Sequence, residues 1–120
     1  MAKEYHIINL AYLKEISNGD NKLITDLIEL FFEQIPEYQL KMNEYFEQHD
    51  WNNLGRIAHK AKSAILMAGM EELALDLKKL EQNTKDGENI GNYKEIIVKF
   101  VNVSNAAIKE LQEVKKQYNK

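Results

Sequence analysis

The chain has 120 residues, 44% of them hydrophobic and 29% charged, with one proline, 5 glycines and no cysteine. This size and balance suit one domain around one hydrophobic core, and the lack of cysteine excludes disulfides and thiolate metal sites. A formal net charge of −3 at pH 7 argues against broad binding to nucleic acid, which needs a clustered cationic surface.

The N-terminal Met-Ala-Lys-Glu-Tyr-His lacks the apolar stretch of a signal peptide, and no run approaches the ~18 apolar residues of a membrane span. A cytoplasmic protein is expected. Leu10, Leu13 and Ile16 mark a short first helix, ended by Ser17-Asn18-Gly19-Asp20, with Asp20 placed to cap the next helix. Ile24, Leu27, Ile28, Phe31 and Ile35 then recur at helical spacing as a buried stripe. Pro36 removes a backbone donor, which predicts a kink or short break.

Tyr38, Met42, Tyr45, Phe46 and His49 continue the spacing to Asp50, which is placed to cap a helix from about Trp51 to Ala68. Gly69 suits the C-terminal cap. The next helix turns Leu73, Leu77 and Leu80 inward and is expected to stop near Gln82. A segment containing Gly87 and Gly91 follows. The last helix, about 90–118, is marked by Tyr93, Ile97, Phe100, Ser104, Ala107, Ile108, Leu111 and Val114. Each amphipathic helix can bury its stripe only against the others, so the expected fold is all-α: an antiparallel four-helix bundle with an additional short N-terminal helix, in a single domain over 1–120.

On a helical wheel Leu54, Ile57, Ala58, Ala61, Ile65 and Ala68 share one face, and His59 lies about 150° from its mean direction. The ring should therefore meet solvent. Gly55 and Ser63 flank it one turn away on each side, both small enough to admit another protein's active site. Arg56, Lys60 and Lys62 give a cationic fringe within an acidic chain. Leu66, Met67 and Met70 read either as an apolar rim or as the edge of a wide core stripe. Likewise, from the residues alone, the exposed His59 reads either as ordinary solvated surface or as an accessible nucleophile. In the helix interior Gly55→Ala is expected to stabilise by up to ~1 kcal/mol.

The stretch Ala58-His59-Lys60-Ala61-Lys62-Ser63-Ala64, followed by Met67-Ala68-Gly69-Met70, Leu73 and Leu80-Glu81, resembles the signature of histidine-containing phosphotransfer (HPt) domains. In that signature A-H-x-L-K-G-x precedes a glycine-containing turn and a leucine-spaced helix ending in L-E. The resemblance extends upstream through Leu13 to Asp20, Phe31 to Pro36 and Asp50-Trp51, covering about residues 10–82. It implies that His59 accepts and donates a phosphoryl group, that Lys62 steadies phosphoryl oxygens, and that Glu81 accepts a hydrogen bond from the imidazole Nδ1–H. Gly55, Arg56, Lys60, Ser63, Leu66 and Met70 become the expected docking surface. Two positions depart from the family pattern: Ala61 replaces a larger apolar residue, and Ser63 replaces a glycine.

The resemblance further implies a phosphorelay intermediate, monomeric, whose partners are the receiver domains of response regulators or hybrid kinases. Such a module binds no cofactor itself, and Mg²⁺ is expected on the receiver. There is no P-loop or other glycine-rich nucleotide loop, so ATP-dependent kinase activity is not expected. The alternative is a helical adaptor that docks receivers without transferring phosphate. A di-iron bundle would need Glu-x-x-His pairs, whereas Lys3, Phe46 and Arg56 stand three residues before His6, His49 and His59. No metal site is expected.

Overall fold

In the computed structural model, which describes residues 7–118, every long element is a helix: α1 Ala11–Ser17, α2 Asn21–Glu47, α3 Trp51–Met67, α4 Glu71–Asp86 and α5 Tyr93–Tyr118, the last preceded by a 3₁₀ turn over Ile90–Asn92. His6 lies outside the described residues. The helices after α1 form a four-helix bundle, and the molecule as a whole is elongated, 47 × 22 × 21 Å.

Capping explains where the helices begin. The Asp20 carboxylate accepts hydrogen bonds from the amides of Lys22 and Leu23 at 2.9 and 3.2 Å, satisfying two of the donors a helix start leaves unpaired. Asp50 does the same for α3 through the Asn53 amide at 3.2 Å and also accepts from the Asn53 side chain at 2.7 Å. Between α3 and α4, Gly69 holds a left-handed backbone, φ +79°, and a Cβ there would overlap the Asn9 carbonyl. That close approach lets the Asn9 amide donate to the Ala68 carbonyl at 2.9 Å, which ties the segment before α1 onto the turn.

Two expected boundaries need correction. No break occurs at Pro36, since α2 continues through it. Pro36 sits on the exposed side, so the missing donor faces away from the core, while Ile28, Phe31, Ile35 and Met42 are fully buried on either side and hold one continuous helix. α4 does not stop near Gln82; it runs one turn further, because Thr84 continues the buried stripe at 8% exposure, and it ends where Gly87 adopts φ +70°.

The core is the sum of these stripes. Ile24, Ile28 and Phe31 of α2 meet Leu54, Ala58, Ala61 and Ile65 of α3, Leu73, Leu77 and Leu80 of α4, and Ile97, Phe100, Ala107 and Leu111 of α5. Each fully buried aliphatic side chain is worth about 1.5–3 kcal/mol relative to exposure. Leu13 of α1 joins the same core at 1% exposure. Tyr93 is fully buried, and its hydroxyl is shared between the carbonyls of Asn83 and Glu88 at 2.9 and 2.7 Å, closing the α4–α5 connection. This frame leaves one face of α3 outside the core and sets α4 beside it.

Candidate functional site

The exposed face of α3 follows from its composition. Leu54, Ala58, Ala61 and Ile65 are drawn inward, and the helical turn then carries Arg56, His59, Lys60 and Ser63 outward. The His59 side chain is 62% exposed. Its Nδ1 lies 3.0 Å from Glu81 Oε2 on α4, and Lys62 Nζ lies 3.4 Å from Glu81 Oε1. One carboxylate therefore bridges both side chains, one oxygen to each.

An ionised carboxylate can only accept hydrogen bonds, so the neutral imidazole must carry its proton on Nδ1 to satisfy the contact. That leaves the Nε2 lone pair free. Burial pushes the Glu81 carboxyl upward, but the hydrogen bond and charge of His59, together with Lys62, outweigh it and hold the group below its ordinary value of 4.5. In chemical terms the arrangement is an accessible nitrogen nucleophile with a fixed tautomer, beside an ammonium group able to pair with an incoming anion.

The remaining candidates separate into three groups. Arg56, Lys60 and Ser63 are exposed around His59, and Leu66 is 41% exposed two turns beyond it. Met70 belongs to the core at 5% exposure, which corrects its assignment to the docking rim: it stands at the start of α4, where the α3–α4 turn folds it inward. Gly55 is also corrected. It is buried between α3 and α4, where an added Cβ would overlap the Thr84 hydroxyl oxygen and stand 3.5 Å from Thr84 Cβ, so it provides close helix packing in place of open access. The expected stabilisation by Gly55→Ala is withdrawn on the same ground.

The site includes residues of α4 that the sequence reading missed. A groove beside His59 is lined by Gly55, Arg56, Lys60, Glu81, Thr84 and Lys85, together with Tyr45 and Trp51. Lys78 and Lys85 stand one turn either side of Glu81 and are exposed, so the cationic fringe is built from two helices. The signal for them was present: the 3- and 4-residue spacing around Glu81 reaches Lys78, Thr84 and Lys85 if α4 is carried past Gln82.

The chain matches the family model of the Hpt domain over residues 26–115, a span that includes α3, α4 and nearly all of α2 and α5. The chain belongs to the Hpt domain family. Hpt domains serve phosphotransfer in two-component signalling, interact with receiver domains and are phosphotransfer modules in place of kinases. No curated protein and no solved structure gives a match. The family match takes in the C-terminal helix as well as the motif-bearing region, whereas α1 lies before it. Among the described residues of this Hpt domain, no helix is long and apolar enough to cross a membrane.

Proposed function

We propose that this Hpt domain is a phosphorelay intermediate that accepts a phosphoryl group on His59 from the aspartyl phosphate of one receiver domain and passes it to the aspartate of another. The observation that carries the reading is the pairing of an exposed imidazole with Glu81 at 3.0 Å through Nδ1, which leaves the Nε2 lone pair free to react.

In the transfer, the Nε2 lone pair attacks phosphorus, the N–P bond forms, and the bond from phosphorus to the receiver's aspartate oxygen breaks with its electrons, returning a carboxylate. The imidazole becomes cationic during this step, and the Glu81 carboxylate at Nδ1 stabilises that charge. Lys62 moves toward the phosphoryl oxygens as they draw near. Both helices' lysines favour approach of an acidic receiver pocket. The second transfer runs the same bonds in reverse onto a different aspartate.

Phosphoryl transfer depends chiefly on in-line placement and neutralisation of charge, so a module without a nucleotide site suffices. Mg²⁺ would be held by the receiver, where it would supply neutralisation of the phosphoryl charge, and this chain works as a cytoplasmic monomer with no metal of its own. The test is to mix the purified chain with a panel of phosphorylated receivers and follow acid-labile, base-stable phosphate on it. Uptake from at least one receiver and delivery to a second supports the relay; stable complexes without transfer support the docking adaptor instead.

A further inference from the structure

The contact between Gly55 and Thr84 lies directly beneath the site, and the family match assigns it no role. Gly55 precedes His59 by one turn of α3, and Thr84 follows Glu81 by one turn of α4. Both are buried, in a domain where the neighbouring faces of the same helices are exposed. The Thr84 hydroxyl donates to the carbonyl of Glu81 itself at 2.9 Å. A Cβ on residue 55 would overlap that hydroxyl oxygen and also touch the Glu81 carbonyl oxygen at 3.6 Å.

We infer that Gly55 and Thr84 are paired positioning residues: the contact of the bare Gly55 backbone with the Thr84 side chain sets the spacing of α3 and α4 at which Glu81 reaches His59. The inference rests on the reading of His59 as the phosphoryl acceptor. Two helices can approach this closely only where one of them offers a bare backbone, and residue 55 is that point. With alanine at 55, either α4 retreats by roughly an ångström or Thr84 leaves the rotamer that bonds to Glu81. A retreat of α4 acts on the carboxylate that fixes the imidazole tautomer, whereas a rotamer change of Thr84 breaks only a bond to the Glu81 backbone carbonyl and leaves the carboxylate in place. The His59 to Glu81 contact at 3.0 Å has little slack before it ceases to be a hydrogen bond.

The geometry also supplies its own rescue. With Thr84→Ala in place, the overlapping oxygen is gone and the nearest atom to the new Cβ is the Cβ of residue 84, at the ordinary contact distance of 3.5 Å. Gly55→Ala with Thr84→Ala should therefore restore the spacing that Gly55→Ala alone disturbs.

The experiment compares the full chain with Gly55→Ala and with the double variant Gly55→Ala/Thr84→Ala by two readouts. Long-range ¹H–¹⁵N spectra of the His59 ring at about pH 9, where histidine is ordinarily neutral, report the tautomer. The rate of phosphohistidine formation from phosphoramidate, with ammonia as the leaving group, reports the nucleophile without any protein partner. The expected result is a lost preference for Nδ1–H and labelling slowed by about tenfold or more in Gly55→Ala, with both recovered in the double variant. If Gly55→Ala does not fold, a folded double variant with the wild-type tautomer carries the same support.

An unchanged tautomer and rate in Gly55→Ala, a folded double variant that stays impaired, or a double variant that fails to fold overturns the pairing. A wild-type chain whose tautomer depends on Gly55 in this way but takes no phosphoryl group on His59 leaves the positioning pair standing and removes the phosphotransfer reading.

Discussion

His59 Nδ1 and Glu81 Oε2 stand 3.0 Å apart across the α3–α4 interface, and the contact joins a side chain that is 62% exposed to one that is 33% exposed. A partly shielded carboxylate thus orients a ring that remains open to a partner. Replacing Glu81 by alanine should slow phosphoryl uptake by His59 by about tenfold, within the range seen when orienting partners are removed. Glu81→Gln keeps a carbonyl acceptor for Nδ1–H and should retain more of the rate. Equal losses in the two variants, measured as uptake from one phosphorylated receiver, would argue that charge alone matters at this position.

The same carboxylate makes a pH prediction. The folded-state value of Glu81 is depressed below 4.5, so its contribution to stability is fully present above the unfolded-state value and is lost as pH falls through the lower, folded value. Melting curves between neutral pH and the acid limb should therefore show a smaller acid-induced drop for Glu81→Gln than for the parent chain. A larger drop in the variant would contradict the sign.

Lys62 and Lys60 separate a local role from a diffuse one. Lys62 is 22% exposed and held by Glu81 at 3.4 Å, while Lys60 is exposed on the other flank. Lys62→Ala should slow transfer at both low and high salt, and Lys62→Arg should recover only part of the rate because a planar fork replaces a point charge. Lys60→Ala should weaken encounter in a way that salt removes. Losses of equal size and equal salt dependence would reduce both lysines to a general positive patch.

Ser63 is the exposed neighbour one turn beyond His59, so Ser63→Arg should block receiver approach and lower transfer by about tenfold, with stability changed by less than about 0.5 kcal/mol as for other surface substitutions. Small phosphodonors should still label His59. The corresponding change at Gly55 is not a clean access test, since an arginine there would be forced into the α3–α4 contact. Loss of labelling by phosphoramidate in Ser63→Arg would point to damage to the nucleophile in place of blocked docking.

Much of this architecture was legible because the responsible signals are local. The caps at Asp20 and Asp50, the buried stripe of α3 and the outward direction of His59 all follow from residue type and a 3.6-residue period. What escaped was set by packing between helices. Pro36 reads as a break until its exposed position and the buried residues on both sides are known. Thr84 reads as a polar residue beyond the helix, though the core carries α4 past it. Gly55 reads as an open flank because a sequence does not show which neighbour fills the space beside a glycine, and Met70 reads as rim because the α3–α4 turn reverses the face it presents.

The measurement that bears most directly on the central claim is phosphoryl uptake by His59→Gln beside the parent chain, using one phosphorylated receiver as donor and a second as acceptor. The parent chain should gain a phosphate that is labile in acid and stable in base and should surrender it to the second receiver. His59→Gln should gain none, with melting nearly unchanged because the side chain lies outside the core. Replacing His49, which is exposed and stacks on Trp51 at 5.1 Å, or His6 should leave uptake intact. Retained acid-labile phosphate on His59→Gln would contradict the account, because the phosphoryl group would then reside on another histidine.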